Sequence, residues 1–369
     1  MTRYISLISL LLTVLFSSGF GPFHHIAVAE ESFERVVIQI KAKFPTLSRP
    51  KIEALRPFYR GGAVGPDIGF FPEGEMKMSL LSHYLRSGDL TSELLLAAKT
   101  PEEYAFAIGW RTHVDSDVIA HKNSVNRTVA EMLGVIDEHP EGVTYGFDEL
   151  AHNRVEAGAD LKLLRKSIFK PIKYPEIKIP LTPIHPKGRT LIEEAYLRTY
   201  GIALNREALF KASEKINDYI GVIPEVFVAM GYLKKNNQGP IDGAVGVLNN
   251  ITIRPFFLAL MKNKKETLGS QAILNPYILT KEQMLRHEQS TNLAIQAVSR
   301  KINQDPNAIP NRNLDTGDLA FQDQFDPSEP LLKELENRNP EKVWELEYPP
   351  ALSQRLIREW RQFLSSVPR

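Results

Sequence analysis

The chain has 369 residues, of which 43% are hydrophobic, so it can build a sizeable core in one large domain or two modest ones. Its 45 basic and 44 acidic side chains leave a formal net charge of +1, which gives no electrostatic footprint for duplex nucleic acid. Because the chain has no cysteine, disulfide bonds, thiolate metal sites and cysteine nucleophiles are excluded. Any bound transition metal must therefore use histidine nitrogens and carboxylates, a donor set typical of hydrolytic sites.

Residues 1–19 have the pattern of a secretory signal peptide. Arg3 supplies a positive charge, and the mostly apolar run that follows, 5–16, is too short for a comfortable membrane span. Ser17 and Gly19 then provide small residues at positions −3 and −1, which predicts cleavage after Gly19. We therefore expect the protein to be secreted or periplasmic.

Two alternatives to this processing stay open. The sequence Ala27-Val28-Ala29 is a second small-x-small signal, and cleavage there would remove His24 and His25. The other alternative is that the segment is not cleaved and serves as an anchor. The choice matters because both histidines are candidate functional residues.

Helical periodicity covers 75–165, where apolar residues recur at three- and four-residue spacings. The clearest start signal within it is Thr100-Pro101-Glu102-Glu103. Threonine is a good N-cap, proline suits the first turn, and the second glutamate completes a capping box. We expect the helix to run to about His121, or as far as Leu133.

The second half of the chain also has mainly helical patterns. Five prolines within 171–189 rule out a helix there and predict an extended connector. A helical extension is expected over 190–302, and the polar composition of 303–330 predicts a loop or a disordered segment. A C-terminal helix is expected within 331–369. Strand signals are few, and together these patterns predict an all-α protein.

One predicted helix carries a stripe of potential metal ligands. His113, Asp117 and His121 fall at i, i+4 and i+8, so on a helix they project from one face. Three such side chains can hold one metal or bridge two. Gly109 and Ala105 continue the same stripe, and because both are small, another segment could approach this face closely.

A second stripe is formed by His152, Glu156 and Asp160 at the same spacing. Its first two members have the geometry by which two helical side chains hold one zinc ion. Upstream, Asp67 follows Gly65 and Pro66 in a tight loop, and His83 lies near the start of a helix.

Each of these positions alone has an ordinary structural interpretation. A helical His beside an Asp is usually a satisfied polar pair, the second stripe could be an exposed pair, and a loop aspartate is common in turns. The histidines at 24 and 25 could belong to a discarded signal peptide. Together, however, the segments contain six of the nine histidines, all before the proline-rich connector, and the joint pattern favours a shared metal site.

These motifs, in this order, resemble the zinc-dependent phospholipase C family, which is related to the trinuclear-zinc nucleases that cut single strands. The family pattern is a His near the mature N-terminus, a Gly-Ala-x-x-Pro-Asp-like loop, a lone His, a Gly-x-x-x-His-x-x-x-Asp helix followed by His, and a His-x-x-x-Glu pair. The matching positions here are His25, Gly62 to Asp67, His83, Gly109 to Asp117 with His121, and His152 to Glu156. The resemblance covers 20–170, which we take as a phospholipase C-like domain.

The resemblance implies a multi-helix bundle of the phospholipase C and zinc nuclease type, with three zinc ions in one cleft. It assigns the first zinc ion to Asp67, His83, His113 and Asp117. It assigns the second to His121, His152 and Glu156.

The third zinc ion would be held by His25, by Asp117 as a bridge, and by the backbone of the first mature residue. That residue is Phe20 under the predicted cleavage, whereas family members typically have Trp. His121 also departs from the pattern, because it follows the bridging Asp by one helical turn, a spacing that some relatives share, instead of by two residues.

The activity implied is zinc-dependent phosphodiester hydrolysis, most directly phospholipase C-type cleavage of a phospholipid by metal-activated water, with Asp67 as candidate general base. Phospholipid or another phosphodiester is the expected substrate, with peripheral membrane contact and no duplex nucleic acid. Two alternatives stay open: a single-strand nuclease or other phosphoesterase of the same fold, and a non-catalytic zinc-binding envelope protein.

Overall fold

The computed structural model of the protein describes residues 21–71, 73–167, 176–229, 272–273, 275–301, 305, 309–318 and 327–367. The predicted signal peptide at 1–19 and the predicted zinc ligand Phe20 lie outside the described residues. The same is true of 171–175 in the predicted connector and of 230–271 in the predicted extension.

Helices make up the described structure, and the predicted all-α fold is confirmed. In the first half the helices are α1 (Pro22–Lys43), α2 (Arg49–Glu53), α3 (Arg56–Ala63), α4 (Met76–Tyr84), α5 (Ser87–Ala97), α6 (Pro101–Ala120), α7 (Asn126–Leu133) and α8 (Glu149–Ser167). In the second half they are α9 (Leu191–Tyr200), α10 (Arg206–Ala229), α11 (Lys281–Lys301), α12 (Ser328–Asn337), α13 (Pro340–Glu347) and α14 (Pro350–Ser366). Short 3₁₀ helices cover Gly65–Gly69, Tyr145–Phe147 and Pro186–Gly188.

Helix α6 begins as the sequence predicts. The Thr100 side chain accepts a hydrogen bond from the Glu103 N–H, and the Glu103 side chain accepts one from the Thr100 N–H, so the capping box is complete. After Ala120 the chain continues through a π-helical turn, His121–Val125, directly into α7. The π turn inserts an extra residue into the helix, a feature found frequently at functional sites.

Helix α3 lies unusually close to α6. A Cβ atom built on Gly109 would lie 2.1 Å from the carbonyl oxygen of Tyr59, and one built on Gly62 would lie 1.9 Å from that of Phe106. Neither helix could carry a side chain at these two positions without moving. The stripe of small residues on α6 therefore does allow close approach of another segment, which is α3. Helix α3 leads directly into the loop that carries Asp67.

The C-terminal helices share the main hydrophobic core. Leu332, Trp344 and Trp360 are buried in the same cluster as Trp110 of α6. The indole N–H of Trp344 donates a hydrogen bond to the carbonyl of Leu197, at 2.7 Å. Three helices occupy the region where the sequence predicts one, because α13 and α14 each begin anew at a proline, which is favoured at the first helical position.

The described part of the predicted connector is mostly extended and lies against α3 and α10, where the Lys178 N–H donates to the carbonyl of Pro57. Residues 309–318 of the predicted polar segment form a loop that is fastened to the helices, whereas α12 begins at Ser328, so the prediction of a loop up to residue 330 is wrong at its end. Ile309, Leu314 and Asp315 within it are buried. Among the described residues, none of the helices is both long enough and apolar enough to cross a membrane.

Candidate metal centre

Five separate segments bring histidine and carboxylate side chains into one buried cluster. Helix α1, the 3₁₀ helix at Gly65–Gly69, α4, α6 with its π turn, and α8 contribute to it. All the predicted ligands that the structure describes lie here, and each is at most 6% exposed. They are His25, Asp67, His83, His113, Asp117, His121, His152 and Glu156.

One part of the cluster is built around Asp67. Its Oδ1 lies 3.2 Å from Nε2 of His83 and 3.9 Å from Nε2 of His113. The two histidine Nε2 atoms are 3.4 Å apart. The ring of His25 stacks on that of His113 with centroids 3.9 Å apart, and its Nε2 lies 4.0 Å from Asp67 Oδ2. Ligand atoms so close together can share a small cation.

A second part of the cluster lies toward α8. The Nε2 atom of His152 is 2.9 Å from Oε1 of Glu156, and the Nε2 atom of His121 is 3.6 Å from the same oxygen. The rings of the two histidines stack with centroids 4.8 Å apart. Both imidazoles therefore face one carboxylate oxygen.

Asp117 lies between the two parts. Its Oδ1 is 3.1 Å from Nε2 of His121 and 3.5 Å from Nε2 of His25. Its Oδ2 is 3.8 Å from Nε2 of His113 and 3.9 Å from Nε2 of His83. One carboxylate thus faces four imidazoles, which is the arrangement that a ligand bridging two cations needs.

Backbone carbonyls orient two of the histidines. Nδ1 of His113 donates to the carbonyl of Ala63 at 2.9 Å, and Nδ1 of His83 donates to that of Ser79 at 2.7 Å. A carbonyl can only accept, so the proton is on Nδ1 and the Nε2 lone pair is turned toward the carboxylates. Metal-binding histidines are commonly fixed in this way.

The residues present fit a group of zinc ions. Both carboxylate oxygens of Asp67 and Asp117, Oε1 of Glu156 and both ring nitrogens of His152 are buried without a hydrogen-bond partner in the described part of the chain. Leaving such groups unsatisfied is costly. Among the described residues, three sets of side chains have ligand atoms within 4.8 Å of one another: His25, His113 and Asp117; Asp67, His83 and His113; and His121, His152 and Asp315.

The protonation states of the cluster also favour a bound cation. Burial lowers the pKa of His113 and His152 to about 3, so both rings are neutral and keep a lone pair for a metal. Burial opposes ionisation of Asp117, but attraction to His121 outweighs it and holds the carboxyl pKa well below its usual value. Burial likewise opposes charge on His121, yet Asp117 raises its pKa well above the ordinary value. A proton on His121 thus supplies charge that a metal would replace.

Asp160, the last member of the second stripe, has a different role. Its carboxylate accepts hydrogen bonds from the backbone N–H groups of Phe23 and His24, both at 3.2 Å, and lies 2.8 Å from the His24 ring. It thereby fixes the first turn of α1, which carries His25. Burial raises the pKa of Asp160 to about 7.

We expect Asp160→Ala to lower the free energy of unfolding by about 1–3 kcal/mol for each buried donor that it leaves without an acceptor. Asp160→Asn keeps one acceptor oxygen where the parent side chain has two, so it should lose less stability than the alanine variant. Thermal unfolding in the presence of a chelator measures both. Equal stability of the alanine and asparagine variants would contradict this role.

The sequence prediction omitted one residue of the cluster, Asp315. It lies in a polar loop without periodicity, far along the chain from every other member, and no local pattern marks it. Its Oδ1 is 2.9 Å from Nδ1 of His121. The 3₁₀ helix at Tyr145–Phe147 lies nearby, and the Tyr145 ring contacts that of His152, with centroids 5.3 Å apart. Phe70 similarly contacts His83, at 5.4 Å.

Residues 25–208 match a family model described as zinc dependent phospholipase C. No curated protein and no solved structure matched the chain. The match begins at His25 and spans every predicted ligand that the structure describes, whereas Asp315 lies beyond its end.

Proposed function

Since the chain belongs, through residues 25–208, to the zinc-dependent phospholipase C family, we propose that it hydrolyses the phosphodiester of a phospholipid. Zinc is the cofactor of this family, and the buried sets of donors support several ions. The observation that carries the proposal is the position of Asp117, whose two oxygens face imidazoles from both parts of the cluster.

Three zinc ions are assigned as follows. One would be held by Asp67, His83, His113 and Asp117, and a second by His121, His152 and Glu156. A third would be held by His25 and Asp117, together with the backbone of the first mature residue, Phe20 if cleavage follows Gly19. The distances within the cluster support the side-chain part of this assignment.

When bound, zinc ions lower the pKa of water toward neutrality and neutralise the oxygens of a phosphate group. The buried side chains of the cluster would hold the ions in place. Asp67 is the candidate general base, since both of its oxygens are buried without a hydrogen-bond partner in the described part of the chain and its Oδ1 faces His83. Attack of water at phosphorus breaks the bond to the glycerol oxygen and yields diacylglycerol and the phosphorylated head group.

Aromatic side chains flank the cluster and are suited to an amphiphilic substrate. The rings of Phe70 and Tyr145 stack with centroids 6.4 Å apart, and each also contacts a histidine of the cluster. Such a pair could equally stack on a nucleic-acid base, so a single-strand nuclease remains the second candidate. The net charge of +1 gives little attraction to a polyanion and favours the lipid. We further propose that the protein is exported and contacts membranes peripherally.

The test uses the exported protein with its N-terminal residue and zinc content measured together. We expect release of phosphorylated head group from phosphatidylcholine vesicles, a fall to background after chelation, and recovery when zinc is added back. Zinc should also stabilise the fold by about 4 kcal/mol per site at about a thousandfold excess over Kd.

Single-stranded DNA serves as the competing substrate in the same assay. Chelator-sensitive cleavage of DNA without lipid hydrolysis would favour the nuclease. Zinc-loaded protein that cleaves neither substrate would favour a non-catalytic zinc-binding envelope protein.

A further inference from the structure

A loop from outside the family match closes over the metal centre. This loop, 309–318, is tied to α4, which carries His83, and to α7, which follows the π turn directly. The Leu314 N–H donates to the carbonyl of His83 at 2.9 Å, and the side-chain amide of Asn126 donates to the carbonyl of Asp315 at 2.8 Å. The loop therefore has a defined register relative to α4 and to the start of α7.

The loop places the carboxylate of Asp315, which is 3% exposed, directly behind His121. Oδ1 accepts a hydrogen bond from Nδ1 of His121 at 2.9 Å, and Oδ2 accepts one from the backbone N–H of Tyr145 at 2.6 Å. Asp315 thus links the histidine to the 3₁₀ helix beside the cluster.

We propose that Asp315 is a positioning residue of the metal centre, which holds His121 with its Nε2 atom turned toward Asp117 and Glu156. The inference rests on the proposed function, because it takes His121 to be a zinc ligand. A carboxylate that accepts the Nδ1 proton of a metal-binding histidine fixes the tautomer and the ring orientation and makes the other nitrogen a stronger donor.

The same contacts distinguish positioning from direct ligation. Asp315 lies close enough to His121 and His152 to complete a metal-binding set. Both of its oxygens, however, already accept N–H groups, and its Oδ1 faces the nitrogen of His121 opposite the one nearest Glu156. Oε1 of Glu156 has no hydrogen-bond partner in the described part of the chain, and it faces both histidines. Glu156 is therefore the carboxylate available to the metal.

The position of His121 explains why it needs such support. It begins the π turn, where the regular helical hydrogen-bonding pattern changes, and it follows Asp117 by one helical turn. Whereas His83 and His113 are fixed by backbone carbonyls of α4 and α3, His121 faces a side chain from 194 residues away. A residue beyond the family match thus completes a site within it.

The experiment compares zinc affinity in Asp315→Asn, His121→Ala and the double variant, by competition with a chromogenic chelator. We expect Asp315→Asn to weaken one zinc site by about 10- to 100-fold while retaining full occupancy at saturating zinc. In the His121→Ala background the same substitution should have no further effect on affinity. The visible spectrum of the cobalt-substituted protein should also change in Asp315→Asn.

Asp318→Asn is the matched control, because Asp318 is an exposed residue of the same loop, 3.6 Å from Lys122, and should leave affinity unchanged. If Asp315→Asn lowered zinc affinity equally with and without His121, the role of Asp315 would be purely structural and the proposal would be overturned. If Asp315→Asn instead removed a whole zinc equivalent at saturating metal, Asp315 would be a ligand, and this too would overturn the proposal. If His121→Ala itself left zinc binding intact, the assignment of His121 within the proposed function would fail instead.

Discussion

Replacing Asp117 with alanine should abolish hydrolysis and release zinc. Its two oxygens face His121 and His25 on one side and His83 and His113 on the other, so its loss removes a donor shared between sites. Loss of a residue that only supports a metal ligand lowers metal affinity or activity by about 10- to 100-fold. Because Asp117 is itself assigned as a ligand, we expect its loss to lower kcat/KM by at least about 100-fold. Metal analysis and head-group release from vesicles, measured on the same preparation, check the prediction.

Asp115→Asn provides the control on the same helix. Asp115 pairs with Lys301 at 2.8 Å and lies 3.6 Å from Arg111, and it does not belong to the cluster, so its neutralisation should act on stability and not on the metal ligands. Zinc content and activity should stay at the parent level. Parent-like zinc content in Asp117→Ala would contradict the bridging assignment, whatever its activity.

Gly109→Ala is expected to destabilise the protein although it adds a single methyl group. The new Cβ would lie 2.1 Å from the carbonyl oxygen of Tyr59 and 2.9 Å from the backbone nitrogen of Ala63. Backbone atoms cannot move aside as a flexible side chain can, so α3 and α6 must separate. We expect a loss of about 1–3 kcal/mol or more in the free energy of unfolding. Because α3 leads into the Asp67 loop, zinc affinity should fall as well.

Gly221→Ala tests whether this effect is specific to the contact. Gly221 lies within α10, and a Cβ built there meets nothing within 4 Å. Alanine is the better helix former by about 1 kcal/mol, so this variant should be as stable as the parent or more so. Denaturant unfolding of both variants in the presence of chelator makes the comparison, and an equally mild effect of Gly109→Ala would argue against the close packing of α3 on α6.

The sequence by itself determined the helical fold class, the start of α6 and most of the candidate site. Thr100 and Glu103 define the start of α6 through contacts within one turn, and the four-residue spacing from His113 to His121 follows from helical geometry alone. The His152 and Glu156 pair has the same local origin. The order of these motifs along the chain was enough to suggest the family, which the match over 25–208 confirms.

The tertiary structure alone decided how these segments meet and what surrounds them. Asp315 contacts His121, which is 194 residues away in the sequence. Asp160 contacts the backbone of His24 and Phe23, which are 136 and 137 residues away. Periodicity and capping describe interactions between near neighbours, so they carry no information on such pairs. A single aspartate in a polar loop looks the same in sequence whether it faces solvent or a histidine, and only the packing of the loop on α4 and α6 distinguishes the two.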